Sequence, residues 1–180
     1  MNAERNSTKR LAIFAYGSLL FRPGFSFIAR ERATLHGYAR SFSQASPDHR
    51  GTADHPGRVL TLAPRAQQQV VGAIYWVEAP ARELLSELDY RERAGYERVS
   101  IEVQTAAART PAVTWLARPG NAYDAGELAL AELAAHIARS AGPSGRNDDY
   151  VLQLEAALDA LVAADPLVTA LARLLRGPAI

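Results

Sequence analysis

The chain has 180 residues, 48% of them hydrophobic and 22% charged, enough for one globular domain with a sizeable core. Twenty Lys and Arg against 19 Asp and Glu leave a net charge of +1, which supplies no bulk field for nucleic acid or an anionic membrane. The absence of cysteine excludes disulfides, thiolate–zinc sites and thiol nucleophiles, and Lys9 is the only lysine that could serve a Schiff base or a phosphate loop.

The first ten residues, MNAERNSTKR, are polar, and the apolar run that follows breaks at Tyr16, too early for a signal peptide or a membrane span. A soluble cytoplasmic protein is expected, with a single domain over 11–176 between tails at 1–10 and 177–180. A first strand is predicted over 10–16, and it runs directly into Tyr16, Gly17, Ser18 and Leu19. Gly17 permits backbone angles and close approaches open to no other residue. The stretch is either an ordinary turn or a cradle of exposed amide N–H groups for an anionic ligand.

Further β-type runs follow at 35–43, 58–64, 69–78, 96–105 and 112–119. Between 46 and 58 the sequence SPDHRGTADHPGR collects Asp48, His49, Asp54 and His55. Their spacing matches neither a helix-borne histidine pair nor a facial triad, so a long loop tied down by its polar residues is expected, without a metal. Trp76, Trp115 and the strand tyrosines read as core.

A helix is predicted over 80–93, where Ala81, Leu84, Leu85 and Leu88 follow the i, i+3, i+4, i+7 spacing of one buried face. Glu92, four residues after Leu88 and seven after Leu85, continues that face, whereas Glu83 and Glu87 lie off it. A carboxylate on an inward helix face is either paired, here with Arg91, Arg93 or Arg98, or functional, because burying it alone is costly. The last third reads as helices over 125–141, 147–165 and 166–176, the first two separated by Gly142, Pro143 and Gly145. Ser144 and Asn147 stand just ahead of the second of these helices. They are placed to cap its amides or to share them with a ligand that meets Tyr150 one turn in. About six strands with a helical end give an α+β class, with a curved sheet or small mixed β-barrel as the architecture.

Four separated segments, YGSLLFRPGF (16–25), DHRGTADHPGRVLTL (48–62), LDYRERAGY (88–96) and GPSGRNDDYVLQL (142–154), resemble the ChaC-type γ-glutamylcyclotransferases in order and spacing. GNAY (120–123) is similar to a further family element, and the likeness runs from about residue 11 to the last helix. The resemblance implies a small mixed β-barrel flanked by helices. It also implies cleavage of γ-glutamyl compounds, with glutathione the favoured substrate, into 5-oxoproline and a free amine or peptide, with no metal or cofactor. The family's catalytic glutamate maps onto Glu92. Its γ-glutamyl-binding loop maps onto Tyr16, Gly17, Ser18 and Leu19, and a family tyrosine after the GPSGxN element maps onto Tyr150. Leu19, where simpler cyclotransferases often carry Asn, points to the ChaC branch. Phe21, Tyr38 and Ser43 depart from positions often filled by Trp, on what would be the leaving-group side.

The chemistry so implied needs no nucleophilic side chain, since the substrate's own α-amine can attack its γ-carbonyl and close a five-membered ring. Glu92 would take the ammonium proton and return it to the leaving amine. Two rivals share these residues: a cyclotransferase for other γ-glutamyl amines or amino acids, and a catalytically idle γ-glutamyl-binding protein.

Overall fold

The computed structural model describes residues 10–177, so the tails expected over 1–10 and 177–180 fall mostly outside the described residues. At their inner edges, Arg10 opens the first strand and Gly177 follows the last helix.

Five strands close into a barrel: β1 (Arg10–Ala15), β2 (Ala29–Ser46), β3 (Gly57–Glu78), β4 (Tyr96–Gln104) and β5 (Arg109–Ala117), in the order β1-β3-β2-β4-β5. All neighbours are antiparallel except β1 and β5, which meet in parallel at Ile13 and Val113, so the barrel is mixed. Closure removes the free edges that an open sheet would expose. The β1 sequence has four consecutive buried residues, Ala12–Ala15, because it lies between β3 and β5 with both faces covered.

The expected strands at 58–64 and 69–78 are two halves of β3. Pairing with β2 runs to Tyr38 opposite Pro64 and resumes at His36 opposite Gln69, so residues 65–68 bulge from the ladder between them. The polar segment that interrupts the apolar pattern is this bulge. β2 also begins earlier than expected, at Ala29: its charged start, Arg30, Glu31 and Arg32, pairs with Tyr75, Ile74 and Ala73 of β3, and none of the three charged residues is fully buried.

Helix α1 (Arg82–Arg91) leaves β3, and α2 (Leu130–Arg139), α3 (Asn147–Asp159) and α4 (Pro166–Arg176) follow β5. Residues 125–129, expected to be helical, instead lie outside α2; Ala125 donates its amide to the Ser43 carbonyl at 2.8 Å. A two-residue hairpin, β6 (Ala141–Gly142) with β7 (Gly145–Arg146), separates α2 from α3. Asp165 caps α4, accepting from the amides of Leu167 and Val168. It also pairs at 3.0 Å with the buried Arg40 of β2, which locks the helical layer to the barrel. Among the described residues, no helix is long and apolar enough to cross a membrane.

Candidate active site

β1 ends at Ala15 because the chain turns into a single 3-10 turn, Ser18–Leu20. The carbonyls of this stretch are all engaged. The Tyr16 carbonyl accepts from Arg40 Nε at 3.0 Å, that of Gly17 from the Leu20 amide, that of Ser18 from Phe21 and Arg22, and that of Leu19 from the Tyr75 hydroxyl. Among the described residues, the amides of Gly17, Ser18 and Leu19 donate to none of these partners or to any other. Because a trans peptide points its N–H opposite its C=O, the Arg40 bond to the Tyr16 carbonyl turns the Gly17 amide the other way. Three orphan donors at the start of a helical turn are what an anionic group requires.

These residues form one wall of a cleft of about 390 Å³. The end of α1 also lines this cleft, through Arg91 and Glu92. Leu88 is buried and its carbonyl receives the Glu92 amide at 2.9 Å, so Glu92 sits one residue past the helix and extends its inward face, as the periodicity required. Glu83 and Glu87 are exposed. The Glu92 side chain is 18% exposed, and burial pushes its carboxyl above the usual carboxylate range; Arg91 opposes the shift and the negative charge of Asp48 adds to it.

Glu92 is paired with Arg91, one of the three partners expected of it. Arg91 Nε lies 3.3 Å from Glu92 Oε1, while the same guanidinium donates to the Pro23 carbonyl at 3.0 Å and the Ser18 hydroxyl at 3.3 Å. Arg91 therefore fixes the distance between the acidic wall and the amide wall.

The loop after Glu92 is held by a network that the sequence reading missed. Gln44, fully buried in β2, donates to the Ala94 carbonyl at 2.9 Å and to Asn121 Oδ1 at 3.0 Å, and Asn121 Nδ2 returns a bond to Gln44 Oε1 at 3.0 Å. The GNAY element thus supports the Glu92 loop from behind. Gly95, at φ +86°, fits against this pair: a Cβ there would stand 2.5 Å from Gln44 Nε2 and closer still to Asn121. The sequence signal was slight: a Gln among small residues at the end of a strand, and an Asn beside a turn glycine.

Of the other expected site residues, Tyr16, Gly17, Ser18, Leu19, Ser144 and Tyr150 line the cleft. Tyr16 contributes its ring and backbone, because its hydroxyl donates to the Trp115 carbonyl at 2.7 Å. The Tyr150 hydroxyl accepts from the Leu60 amide at 3.4 Å and lies where a Cβ on Gly17 would come within 3.3 Å of it. Burial pushes this phenol up to about 12, so it stays protonated and can donate across the cleft. Its ring is held edge-on by Phe21 and Phe42 and by the Arg50 guanidinium 5.6 Å from its centroid. Ser144 bonds the 47–56 loop through its amide to the His49 carbonyl, 2.9 Å, and through its hydroxyl to His49 Nδ1, 3.2 Å.

Asn147 is a correction. It does not line the cleft, and its side chain does not cap α3. Its side chain is fully buried and closes a pair of bonds with the backbone of Arg58, accepting at 2.6 Å and donating at 2.9 Å, in the manner of a neighbouring strand. Phe21 is on the cleft wall, but Tyr38 and Ser43 are not. Tyr96 was not singled out as a site residue and does line the cleft, its hydroxyl donating to the Leu60 carbonyl at 2.5 Å. Among the described residues, no group of three or more His, Asp or Glu side chains is placed to hold a metal; the 48–55 cluster does not converge.

A cleft lined by unengaged amides and by a carboxylate of raised proton affinity can bind an anionic group and exchange a proton with a neighbour, which is the equipment of general acid–base chemistry on a zwitterion. The chain is 36% identical over 174 residues to "Gamma-glutamylcyclotransferase 2-3" of Arabidopsis thaliana, covering 91% of this chain and 87% of the relative. It is 30% identical to the "Glutathione-specific gamma-glutamylcyclotransferase" of Saccharomyces cerevisiae, covering 85% and 87%. The crystal structure of a yeast cyclotransferase specific to glutathione superposes with a TM-score of 0.86 at 27% identity, over 93% of this chain and 96% of that one. With the family profile described as "ChaC-like protein" matching residues 11–177, nearly the whole described barrel and its helices, the chain belongs to the ChaC-like protein family.

Proposed function

We propose that the protein is a γ-glutamylcyclotransferase that converts glutathione to 5-oxoproline and Cys-Gly, with Glu92 as general base and acid. The observation that carries this reading is the presence in one cleft of the unengaged amides at 17–19 and the Glu92 carboxylate. The names of the relatives support the substrate class. The reading includes a cytoplasmic setting, supported by a chain without cysteine.

In the proposed reaction the substrate α-carboxylate lies on the Gly17–Leu19 amides and its ammonium faces Glu92. Glu92 accepts a proton, the freed amine attacks the γ-carbonyl carbon, and a C–N bond forms as the carbonyl oxygen takes up negative charge. The protonated Tyr150 hydroxyl and the cleft amides are the donors available to that oxygen. Collapse breaks the bond to the leaving nitrogen, which takes the proton from Glu92. The ring nitrogen, left with a second excess proton by its attack, passes it by way of Glu92 to the departing amine, so one nitrogen loses two protons, the other gains two, and Glu92 ends as it began. The barrel supplies orientation, selecting the folded substrate conformer in which amine and carbonyl are adjacent.

The test is incubation with glutathione, with products read by mass spectrometry. Release of 5-oxoproline with Cys-Gly is expected, and N-acetylglutathione, whose amide nitrogen is not basic, is inert. Release of free glutamate, or cleavage of the N-acetyl compound, overturns the reading.

A further inference from the structure

Between β2 and β3, within the 46–58 stretch expected to be tied down by its polar residues, the backbone is fixed on both sides of Asp48. The Arg50 amide donates to Ser46 Oγ at 3.1 Å, and the His49 carbonyl accepts from Ser144. Gly142 packs so closely that a Cβ there would lie 2.5 Å from the His49 and Gly51 carbonyl oxygens. A loop held this firmly presents Asp48 on the cleft wall in one place.

The Asp48 carboxylate is nevertheless short of partners. Its Oδ1 is sealed from solvent with no hydrogen bond among the described residues, and its Oδ2 lies 3.9 Å from His49 Nε2, beyond hydrogen-bond length. Arg22, Arg50 and Arg91 line the same cleft, yet none of them pairs with it. Arg91 holds Pro23, Ser18 and Glu92, and Arg50 donates to the Arg146 carbonyl. The Asp48 side chain is 38% exposed and lines the cleft, so its charge is available to a bound group, and that charge also falls on Glu92, raising its carboxyl further. A cation held beside both carboxylates relieves the repulsion between them.

We propose that Asp48 binds the α-ammonium of the γ-glutamyl substrate, holding the nucleophilic nitrogen against Glu92 while the amides of the 3-10 turn hold the α-carboxylate. The assignment rests on the cyclotransferase reading. It divides the work between two acids: Asp48 orients the nitrogen and keeps its charge, and Glu92 removes the proton. It also gives the cleft a requirement for a free α-amine at the binding step, before any chemistry.

The test compares two ligands that differ only at that nitrogen, glutathione and glutaryl-Cys-Gly, which lacks the amine. Dissociation constants are measured by calorimetry on the Glu92→Gln protein, which does not consume the ligand, and on Glu92→Gln combined with Asp48→Asn. Loss of a charged hydrogen bond should weaken glutathione roughly 10- to 100-fold and leave glutaryl-Cys-Gly within about twofold. Equal weakening of both ligands would assign Asp48 a structural role, and no weakening of either would remove it from the site; either overturns the proposal. Should the Asn variant fail to fold, Asp48→Ser serves the same comparison. Formation of 5-oxoproline by the protein with Glu92 intact reads the cyclotransferase assignment separately, so the two failures are distinct.

Discussion

Gly95→Ala puts a single methyl group where the structure has no room for it, and the consequence can be followed from the contact to the assay. The residue stands at φ +86°, where an alanine costs about 1–2 kcal/mol. The new Cβ would also enter the Gln44–Asn121 pair, approaching Gln44 Nε2 to 2.5 Å, so the reciprocal bonds between these amides must open. Gln44 is 1% exposed, and leaving such a buried group unsatisfied adds about 1–3 kcal/mol. The sum, about 2–5 kcal/mol, corresponds to a fall in melting temperature of roughly 4–20 °C for a domain of this size. Gly120→Ala is the internal control: φ is +72° and no atom lies within 4 Å of its Cβ, so only the backbone cost applies, roughly 2–8 °C. Because the Ala94 carbonyl hangs from Gln44, the Gly95 variant should also lower kcat for 5-oxoproline release, and the Gly120 variant should leave it near wild type. Thermal denaturation followed by circular dichroism and a product assay on both proteins decide the matter. Equal melting temperatures, or an unchanged kcat in a destabilised Gly95→Ala protein, would refute the account of a Glu92 loop braced from behind.

Glu92→Gln should lower turnover by roughly 10²–10⁴ while Glu83→Ala and Glu87→Ala, on the exposed face, change it little. The folded state raises the Glu92 pKa, so stability tied to its proton is present below the unfolded glutamate value and is lost as pH rises through the folded one. Above that window the Gln variant should therefore melt no lower than wild type, and in the wild type kcat/KM should rise with pH through a group lying above the ordinary glutamate range. Asn147→Ala, which removes both bonds to the Arg58 backbone, should cost about 1–3 kcal/mol of stability and leave KM for glutathione unchanged; a raised KM with an unchanged melting temperature would return Asn147 to the binding site.

The sequence by itself determined the features that depend on a residue's place within its own element. Helical spacing from Leu85 and Leu88 put Glu92 on the inward side of α1, because a 3.6-residue repeat fixes direction without reference to any other segment. The break from LAIF into Tyr-Gly-Ser located the end of β1, since glycine followed by a small polar residue interrupts a strand wherever it occurs. The polar residues 65–68 marked the bulge in β3, although its two halves looked like separate strands because alternation carries no information about whether pairing resumes. What the tertiary structure decided was which distant groups meet. Arg40 reaches the Tyr16 carbonyl and Asp165, Gln44 reaches Asn121, and Asn147 reaches Arg58 across 89 residues of chain. A polar residue ahead of a helix looks alike from its neighbours whether it caps that helix or bridges to a strand. Closure of the barrel brings the Arg58 backbone to Asn147, and a buried amide bonds to whatever backbone closure sets beside it.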